Sequence, residues 1–551
     1  MHLRAGAGSS TRHSGRWNNR WLKFVFIGGC GLVLLASVFI LMASEKTRAR
    51  LIRVAHRIAG KHSQKVQINS LKTTPLLAAT GPLRLNRANP RYFTDGSGKA
   101  ILLVGDHTWY TLQDSGSSDV PPAFDYGAYL NFLQANHINF FRMFVWEQAK
   151  WSEGVTASYY YSPLPYQRTG PGTALDGKLK FDLTKLNQTY FDRLRQRLID
   201  AGNRGIYVSI QLFEGFSVQR KPFMAANNPW PGHPFNKSNN INGIDGDLNG
   251  NGEGEETETL ATPAVTARQE AFVNKIIDTV NDLDNVLFEI CNEAQTNSEA
   301  WQEHLIRHIH SYEGGRPKQH PVGMTVEFPN GNNAELFASS ADWISPNGDD
   351  GQYDNPPATD GSKVVVSDTD HLCYPCGDRQ WMWKSFLRGN NPAFMDPYDC
   401  TADWSPPGWS GCDPNNPTWV SLRQNLGYAL NVANRVNLAA MVPHGELVST
   451  GYSLANPTDS GAEYLIYLPS GRTLNNFLKK VGINGNTDVY LPADGVVSID
   501  LSATPRELSV EWFNPRTGAT VNGEPVMGGA SRSFTAPFTG DAVLYVYSSR
   551  S

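Results

Sequence analysis

The chain has 551 residues, a formal net charge of −4, and 18% charged against 40% hydrophobic residues. This length predicts two or more domains, and the composition excludes disorder over most of the chain. The near-neutral charge excludes nucleic-acid binding along the whole chain, whereas 14 tryptophans and 11% aromatic residues suit a protein that stacks on sugar rings.

The N-terminal region predicts a membrane anchor. Residues 1–23 are rich in arginine, and the uncharged apolar run 24–43 is long enough for a helix of about 30 Å, the thickness of the hydrocarbon core. No small-x-small cleavage site follows, which favours an uncleaved signal anchor over a signal peptide. Residues 1–23 are then a basic cytoplasmic segment and 44–82 a stalk. The remainder lies outside the cytoplasm, or is secreted if the segment is cleaved.

Residues 83–453 predict a (β/α)₈ barrel. Short apolar runs without alternation are typical of buried parallel strands, and helical patterns separate several of them. The predicted strands are Ile101–Val104, Ile138–Val145, Ile206–Leu212, Val286–Ile290, Val322–Val326, Trp343–Ile344, Val364–Val366 and Ala393–Met395. The predicted helices are Tyr126–Ala135, Tyr190–Ala201, Ala267–Leu283, Glu299–Tyr312, Arg379–Leu387 and Val420–Ala440. No clear helix separates the sixth and seventh strands.

A loop before the third of these helices fits the spacing of an EF-hand calcium loop. The template asks for oxygen ligands at positions 1, 3, 5, 7 and 12 and a glycine at position 6. Gly250 occupies position 6, and the candidate ligands are Asp245, Asp247, Asn249, Asn251 and Glu256. No amphipathic helix precedes the loop, so an acidic, glycine-rich surface loop is the alternative to a structural Ca²⁺ site. No cofactor is expected for catalysis.

The cysteines indicate disulfides if the chain is exported. The simplest pairings are Cys373 with Cys376 and Cys400 with Cys412; zinc ligation by these four is the competing interpretation. Cys291 is predicted to be a buried strand residue, and Cys30 lies in the apolar run.

Residues 454–551 predict a small all-β domain with the architecture of a sandwich. The strand-like runs alternate and are separated by turns rich in glycine, proline and asparagine. They are Tyr464–Leu468, Val496–Leu501, Leu508–Phe513 and Ala542–Tyr547. No cluster of residues in this tail indicates catalysis.

Polar side chains gather at the predicted carboxyl ends of the barrel strands, where barrel active sites form. A single strand-end carboxylate is commonly a cap or a salt-bridge partner, but polar residues at eight strand ends favour a functional site. In strand order they are Asp106, His107 and Trp109; Arg142, Trp146 and Glu147; Gln211 and Glu214; Asn292 and Glu293; Glu327; Asn347; Asp368, Asp370 and His371; and Asp396.

Two of these strand ends carry the carboxyl groups that glycoside hydrolysis requires. The motif FEICNE closes the fourth strand with Asn292 and Glu293, and VVVSDTDH closes the seventh with Asp368, Asp370 and His371. Hydrolysis needs one protonated carboxyl group for the leaving oxygen, and one ionised group that attacks carbon or activates water. Positions on opposite sides of one barrel mouth meet that need.

The fourth strand resembles clan A of the glycoside hydrolases. This resemblance implies that Glu293 is the acid/base, that Asn292 contacts the sugar 2-hydroxyl, and that Arg142 orients the nucleophile. Residues 83–453 are also similar to the apiosidase-like family of glycoside hydrolases, and the tail motif VEWFNPRTG (510–518) resembles a domain labelled collagen-binding. The barrel motifs that carry the likeness are YFTD (92–95), LVGDHTW (103–109), SDTDHL (367–372), WKSFLRG (383–389) and FMDPY (394–398).

The chain departs from clan A at the seventh strand, where the clan places a glutamate nucleophile. The register here gives Asp368, which reaches less far by one methylene, about 1.5 Å. Retention and inversion of configuration therefore both stay open. Asp368 is the preferred second carboxylate and Asp370 the alternative, with Glu327 and Glu214 as further candidates.

The leading hypothesis is a membrane-anchored, extracytoplasmic glycoside hydrolase that acts on a poly- or oligosaccharide. Sugar-binding or sugar-orienting roles are expected for Asn292, Arg142, Asp106, His107, Trp109, Trp146, His371 and Asp396. The alternative is a non-catalytic carbohydrate- or matrix-binding surface protein. A metallohydrolase is disfavoured because His107 and His371 are isolated from other predicted ligands. No nucleic-acid partner is expected.

Overall fold

The computed structural model describes residues 69–70, 75–151, 159–219, 228–347, 356, 358–372, 376–398, 413–470 and 495–548. The predicted membrane anchor, 24–43, lies outside these residues, as do the cytoplasmic segment and most of the stalk. None of the helices in the described ranges is both long and apolar enough to cross a membrane. The anchor therefore stays a prediction.

Eight parallel strands close into a barrel in chain order, which confirms the predicted barrel fold. The strands are β1 (Gly105–His107), β2 (Phe140–Met143), β3 (Tyr207–Glu214), β4 (Val286–Asn292), β5 (Val322–Thr325), β6 (Trp343–Ser345), β7 (Val364–Asp368) and β8 (Asn391–Met395).

The first strand begins later than the sequence predicts. The backbone N–H groups of Leu103 and Val104 donate to the side-chain amides of Asn391 and Asn139, not to a neighbouring strand. The apolar run 101–104 therefore leads into the barrel, and the ladder starts at Gly105, where a Cβ would lie 2.8 Å from the Phe140 ring.

Helices surround the barrel, and six of them overlap the predicted ones; the helix Asn333–Ala338 was not predicted, and the last ends at Ala433 instead of Ala440. They are α1 (Tyr126–Ala135), α2 (Gln188–Gly202), α3 (Pro263–Val280), α4 (Glu299–Glu313), α5 (Asn333–Ala338), α6 (Arg379–Leu387) and α7 (Pro417–Ala433). Five short 3₁₀ helices accompany them in the described ranges: Gly215–Ser217, Trp230–Gly232, Glu255–Glu258, Gly445–Leu447 and Asp459–Gly461. Between β6 and β7 the described residues contain no helix, in keeping with the sequence pattern.

The floor of the barrel is apolar and closed. A short hairpin, Arg84–Leu85 with Phe93–Thr94, precedes β1. Its neighbour Leu83 and its own Phe93 belong to the same buried cluster as the inward-facing aromatic residues of the strands. Trp343 fills the centre so tightly that a Cβ on Gly323 would lie 1.9 Å from its ring. Polar chemistry is thus confined to the carboxyl-end mouth.

Insertions after β1 and β2 build an aromatic wall beside this mouth. Strands Asp114–Gly116, Lys150–Trp151 and Tyr159–Ser162 form a small antiparallel sheet. Strands Tyr166–Thr173 and Leu179–Leu186 form a hairpin next to it. A second buried cluster joins these insertions to the barrel through Trp109, Trp146, Trp151, Tyr161 and Trp230.

The tail is an all-β domain, as predicted. Its strands are β9 (Val442–Pro443), β10 (Ser453–Asn456), β11 (Glu463–Leu468), β12 (Val496–Asp500), β13 (Glu507–Phe513), β14 (Ala519–Asn522), β15 (Val526–Met527), β16 (Ser531–Thr535) and β17 (Ala542–Tyr547). The main antiparallel sheet runs β14-β13-β17-β11-β10-β9, and Asn69–Ser70 pairs with the edge strand β14. A separate pair, β12 and β16, covers one face over the core.

The tail packs against helices α6 and α7 of the barrel. Arg379 on α6 donates to both carboxylate oxygens of Asp541 at 2.9 and 2.8 Å, and Tyr467 donates to the same carboxylate. Asn425 on α7 donates to the Pro515 carbonyl. Apolar residues from both parts share one buried cluster, so the barrel and the tail form a continuous core.

Two cysteines lie in the described residues. Cys291 is buried in β4, which confirms its predicted burial. Cys376 is disulfide-bonded. Because Cys373, Cys400 and Cys412 fall outside the described residues, the predicted pairings stay predictions.

Candidate active site

Arg142 is the centre of a buried ion-pair network beneath the mouth. Its guanidinium has no exposed surface and donates to both oxygens of Glu289, from Nε at 2.9 Å and from Nη2 at 2.5 Å. Nη1 donates to Asp368 at 3.0 Å. Although burial lowers the pKa of the guanidinium, Glu289 and Asp368 hold that pKa well above its usual value. The network therefore fixes Arg142 rigidly across β2, β4 and β7.

Asp368 is enclosed by this network. His107 approaches its two oxygens at 2.9 and 3.0 Å, and the backbone N–H of Asp370 donates to it at 2.9 Å. Burial raises the pKa of Asp368, but the charges of His107 and Arg142 outweigh burial and hold that pKa well below its usual range. The carboxylate is therefore ionised. Because its side chain is 0% exposed and both oxygens accept hydrogen bonds, neither oxygen is open to a substrate.

Asp370 lies beside Asp368 but faces the mouth. Its side chain is 11% exposed and accepts one hydrogen bond, from Arg142 Nη1 at 3.2 Å. Burial raises the pKa of Asp370 to about 6, opposed by the charge of Arg142 and reinforced by that of Asp368. Of the two aspartates predicted after the seventh strand, this one keeps an open carboxylate.

Asn292 links the network to its neighbours in a fixed orientation. Arg142 donates to Oδ1 at 2.6 Å, so this atom is the amide oxygen. His371 Nε2, 3.1 Å away, must then be the donor, and its Nδ1 accepts from the Ser345 hydroxyl at 2.8 Å. Burial lowers the pKa of His371 to about 3, which keeps this imidazole neutral.

Glu214 completes the chain of side chains at the end of β3. Asn292 Nδ2 and the Phe216 N–H donate to Oε1 at 3.3 and 3.1 Å, and Gln211 Nε2 donates to Oε2 at 2.6 Å. The residue is 1% exposed. Burial raises the pKa of Glu214 to about 8.

Glu293 follows β4 in a backbone conformation that side chains rarely adopt, with φ at +43°. The residue is 8% exposed. Its carbonyl oxygen lies so near Gly215 that a Cβ there would approach it to 2.0 Å. Left-handed backbone in a non-glycine residue stores strain and is frequent at active sites.

Asp106 and Asp396 form a second carboxyl pair, which is fully buried. Arg423 donates to both oxygens of Asp396. Burial, and then the charge of Asp396, raise the pKa of Asp106 well above its usual range. Neither of these predicted sugar ligands has an open carboxyl group in this arrangement.

The two predicted tryptophans belong to the aromatic wall. Trp109 is 9% exposed and Trp146 6% exposed. The indole N–H of Trp146 donates to the Trp109 carbonyl, and its ring packs on Trp151 and Tyr161. Little ring surface is open for stacking on a sugar.

The further carboxylate candidate Glu327 has a structural role. Ser298 Oγ donates to one oxygen at 2.8 Å and the Asn297 N–H to the other at 2.9 Å, at the start of α4.

Sequence reasoning missed Glu289. A charge inside the apolar run of β4 requires a buried partner, and this signal points to Arg142.

The calcium loop does not gather its predicted ligands. Within the described ranges, no three histidine, cysteine or acidic side chains converge where they could hold a metal ion. The amide nitrogens of Asn249 and Asn251 instead donate to Glu255 at 3.2 and 2.7 Å. Asp245, Asp247 and Glu256 are thus not brought to one point, and calcium binding stays a prediction.

Comparison with known proteins shows a likeness of fold to solved glycoside hydrolases. Residues 147–328 match a family described as a domain of unknown function (DUF6298). No curated protein matches. A solved structure described as a glycoside hydrolase has a TM-score of 0.52 and 13% identity, covering 85% of this chain and 97% of its own. The chain has the fold of that glycoside hydrolase.

A second solved structure shows the same likeness. The glycoside hydrolase family 5 protein from Bacteroides vulgatus has a TM-score of 0.52 and 13% identity, covering 87% of this chain and 95% of its own. At such identities the likeness concerns the fold alone. The resemblances to the apiosidase-like family and to the collagen-binding domain are tested by none of these matches and stay predictions.

Proposed function

We propose that the protein is a glycoside hydrolase that cleaves O-glycosidic bonds of a poly- or oligosaccharide. Glu293 is the general acid/base and Asp370 the second carboxylate. The observation that carries this proposal is the mouth itself: Glu293 directly follows β4, Asp370 follows β7, and Arg142 donates to Asp370 and to Asn292, the residue before Glu293.

The choice of Asp370 over Asp368 follows from what each carboxylate touches. Asp368 accepts from Arg142, His107 and a backbone N–H and has no exposed side-chain surface. An attack on an anomeric carbon requires an open oxygen, and Asp370 has one. In this proposal Asp368 holds Arg142 and His107 in position, and Arg142 orients Asp370.

The reaction then uses the two carboxyl groups in turn. Glu293 donates a proton to the leaving oxygen, while ionised Asp370 either attacks the anomeric carbon or removes a proton from the water that attacks it. After attack by Asp370, water that gives its proton to Glu293 breaks the glycosyl ester, which releases the sugar and restores both carboxyl groups. The first route retains configuration and the second inverts it. The anomer formed in the first turnovers, followed by NMR, distinguishes them.

The decisive experiment uses the full-length protein on a panel of plant polysaccharides and their oligosaccharides. We expect new reducing ends from the wild type and a loss of at least about a hundredfold in kcat for Glu293→Gln, because general acid catalysis contributes about 10²–10⁴-fold. The matched control is Glu327→Gln, the same change at a strand-end carboxylate that anchors α4. Equal hydrolysis by the wild type and Glu293→Gln would contradict the assignment of Glu293 as general acid/base.

The non-catalytic alternative makes the opposite forecast. A carbohydrate- or matrix-binding surface protein would retain ligand and release no reducing ends, and Glu293→Gln would bind as the wild type does.

Membrane anchoring through 24–43, with the enzyme outside the cytoplasm, belongs to the proposal. Recovery of the full-length protein in the soluble fraction after cell lysis would contradict it.

A further inference from the structure

Glu214 is a buried carboxyl group that the proposed reaction does not use. It lies at the end of β3, and its three hydrogen-bond donors, from Gln211, Phe216 and Asn292, are all neutral. Burying an ionised carboxylate without a cation is costly, and such a group keeps its proton instead. The other buried carboxylates at the centre of the mouth, Glu289 and Asp368, both accept from Arg142.

Burial and the charge of Asp370 favour the neutral form of Glu214, and they outweigh its three hydrogen bonds, which favour the ionised form. On β2, Arg142 reaches it only through the amide of Asn292. Glu147, which pairs with His233, accepts from the backbone N–H of Glu214. Beyond β7, Asp370 adds a negative charge that raises the pKa of Glu214 further, and His371 is neutral. From β4, the ionisable neighbour is Glu293, the residue after Asn292.

Position makes this protonation relevant to the reaction. Asn292 accepts from Arg142 and His371 through Oδ1 and donates to Glu214 through Nδ2. Its amide therefore cannot rotate while Glu214 accepts that bond. Asn292 is also the last residue of β4, directly before the strained Glu293.

We propose that Glu214 works as a neutral carboxylic acid, a positioning residue that fixes the amide of Asn292 and keeps a second negative charge away from Asp370. The proton lies on Oε2 and is donated to Gln211, whose amide then presents Oε1, an atom with no other hydrogen-bond partner among the described residues, in place of Nε2. This inference rests on the proposed function. Ionisation of Glu214 would add a negative charge beside ionised Asp370, and their repulsion would strain the hydrogen bond that holds Asn292 in front of Glu293.

The first test needs no activity. A carboxyl group with a raised folded-state pKa destabilises the folded chain progressively as pH rises, here from about 4.5, the unfolded value, to about 8. Glu214→Gln mimics the protonated form and cannot ionise. We expect its Tm relative to wild type to increase steadily between pH 5 and pH 8. Glu327→Gln, the same change at a strand-end carboxylate outside this network, is the control.

The second test measures kinetics. We expect the kcat of the wild type to fall above about pH 8, which gives an alkaline limb in the pH profile. In Glu214→Gln this limb should move upward by at least one pH unit. Glu214→Ala should lose severalfold more kcat than Glu214→Gln. A purely structural role would lower activity without moving the limb.

The outcomes separate the two proposals. A pH-independent Tm difference, or one no larger than that of Glu327→Gln, overturns a protonated Glu214. An alkaline limb unchanged in Glu214→Gln overturns its positioning role. A wild type that hydrolyses nothing defeats the proposed function, whereas the Tm profile still decides the protonation state.

Discussion

Two aspartates separated by one residue differ entirely in what their carboxylates can do. Asp368 is ionised and enclosed by His107 and Arg142, while Asp370 has a raised pKa and an exposed edge. The register of β7 alone favours Asp368, because the motif gives no sign of how many donors each side chain meets. The physical difference is the number of cationic contacts.

At this scale the pH profile is informative. If Asp370 must be ionised to attack carbon or to activate water, kcat/KM should fall by about tenfold per pH unit below about 6, where burial places the pKa of Asp370. Activity rises with pH through that value because the group gains its charge there. Steady-state kinetics from pH 4 to 8 measure this limb.

The matching variant is Asp370→Ala, whose activity should be restored in part by formate, a small carboxylate that fits the space left. An acid limb near pH 4, or wild-type kcat in Asp370→Ala, would remove Asp370 from the reaction.

At the scale of elements, two strand ends meet where β3 passes β4. Gly215 follows β3 and touches the backbone of Glu293, which follows β4 in the left-handed region. The backbone of Gly215 is not in the left-handed region, so its φ does not require a glycine. The close approach of the Glu293 backbone does, because it leaves no room for a Cβ. Sequence reasoning identified both strands and Glu293, but it attached no role to the glycine after Glu214.

Gly215→Ala should therefore disturb Glu293 without touching its side chain. The added Cβ would lie 2.0 Å from the Glu293 carbonyl oxygen, so the two strand ends must separate. Overpacking of this kind costs about 1–3 kcal/mol of stability, and kcat should drop by at least about tenfold because misplacement by about 1 Å can cost a hundredfold.

Denaturant unfolding and kinetics on the same preparation check both effects. Gly461→Ala, where a Cβ would come no nearer than 4.0 Å to another residue and φ is not in the left-handed region, controls for the loss of a glycine alone. Full kcat in Gly215→Ala would show that Glu293 does not depend on this contact.

The whole molecule shows what the sequence could and could not predict. Alternation of apolar runs with helical patterns predicted the barrel, and α1 and α6 begin and end where expected. The sequence did not predict the start of β1, because its backbone donors are satisfied by the side chains of Asn139 and Asn391, which lie far along the chain. For Glu289, a charge within an apolar run signals a buried partner, but only the folded barrel shows that the partner is Arg142 on β2.

The contact between barrel and tail should contribute to global stability. Asp541→Ala removes both oxygens that accept from Arg379 and one that accepts from Tyr467. Asp541 is fully buried while the Arg379 side chain is 22% exposed, so the cost should be about 2–3 kcal/mol, below the 3–5 kcal/mol typical of a wholly buried pair.

Urea unfolding measures this difference. Glu511→Ala breaks the pair with Arg435, whose side chain is 40% exposed, and should cost less than about 1 kcal/mol. Equal midpoints for Asp541→Ala and Glu511→Ala would mean that the buried pair adds nothing.

The order of strands in the tail has a consequence for biosynthesis. β17, the last strand described along the chain, lies between β13 and β11 in the middle of the main sheet. Until the ribosome has released residues 542–547, the two halves of that sheet have no common neighbour, and the apolar faces of α6 and α7 lack their cover. A nascent barrel therefore exposes the apolar faces of these two helices until β17 is synthesised. During that interval, chaperones that recognise apolar surface can bind there.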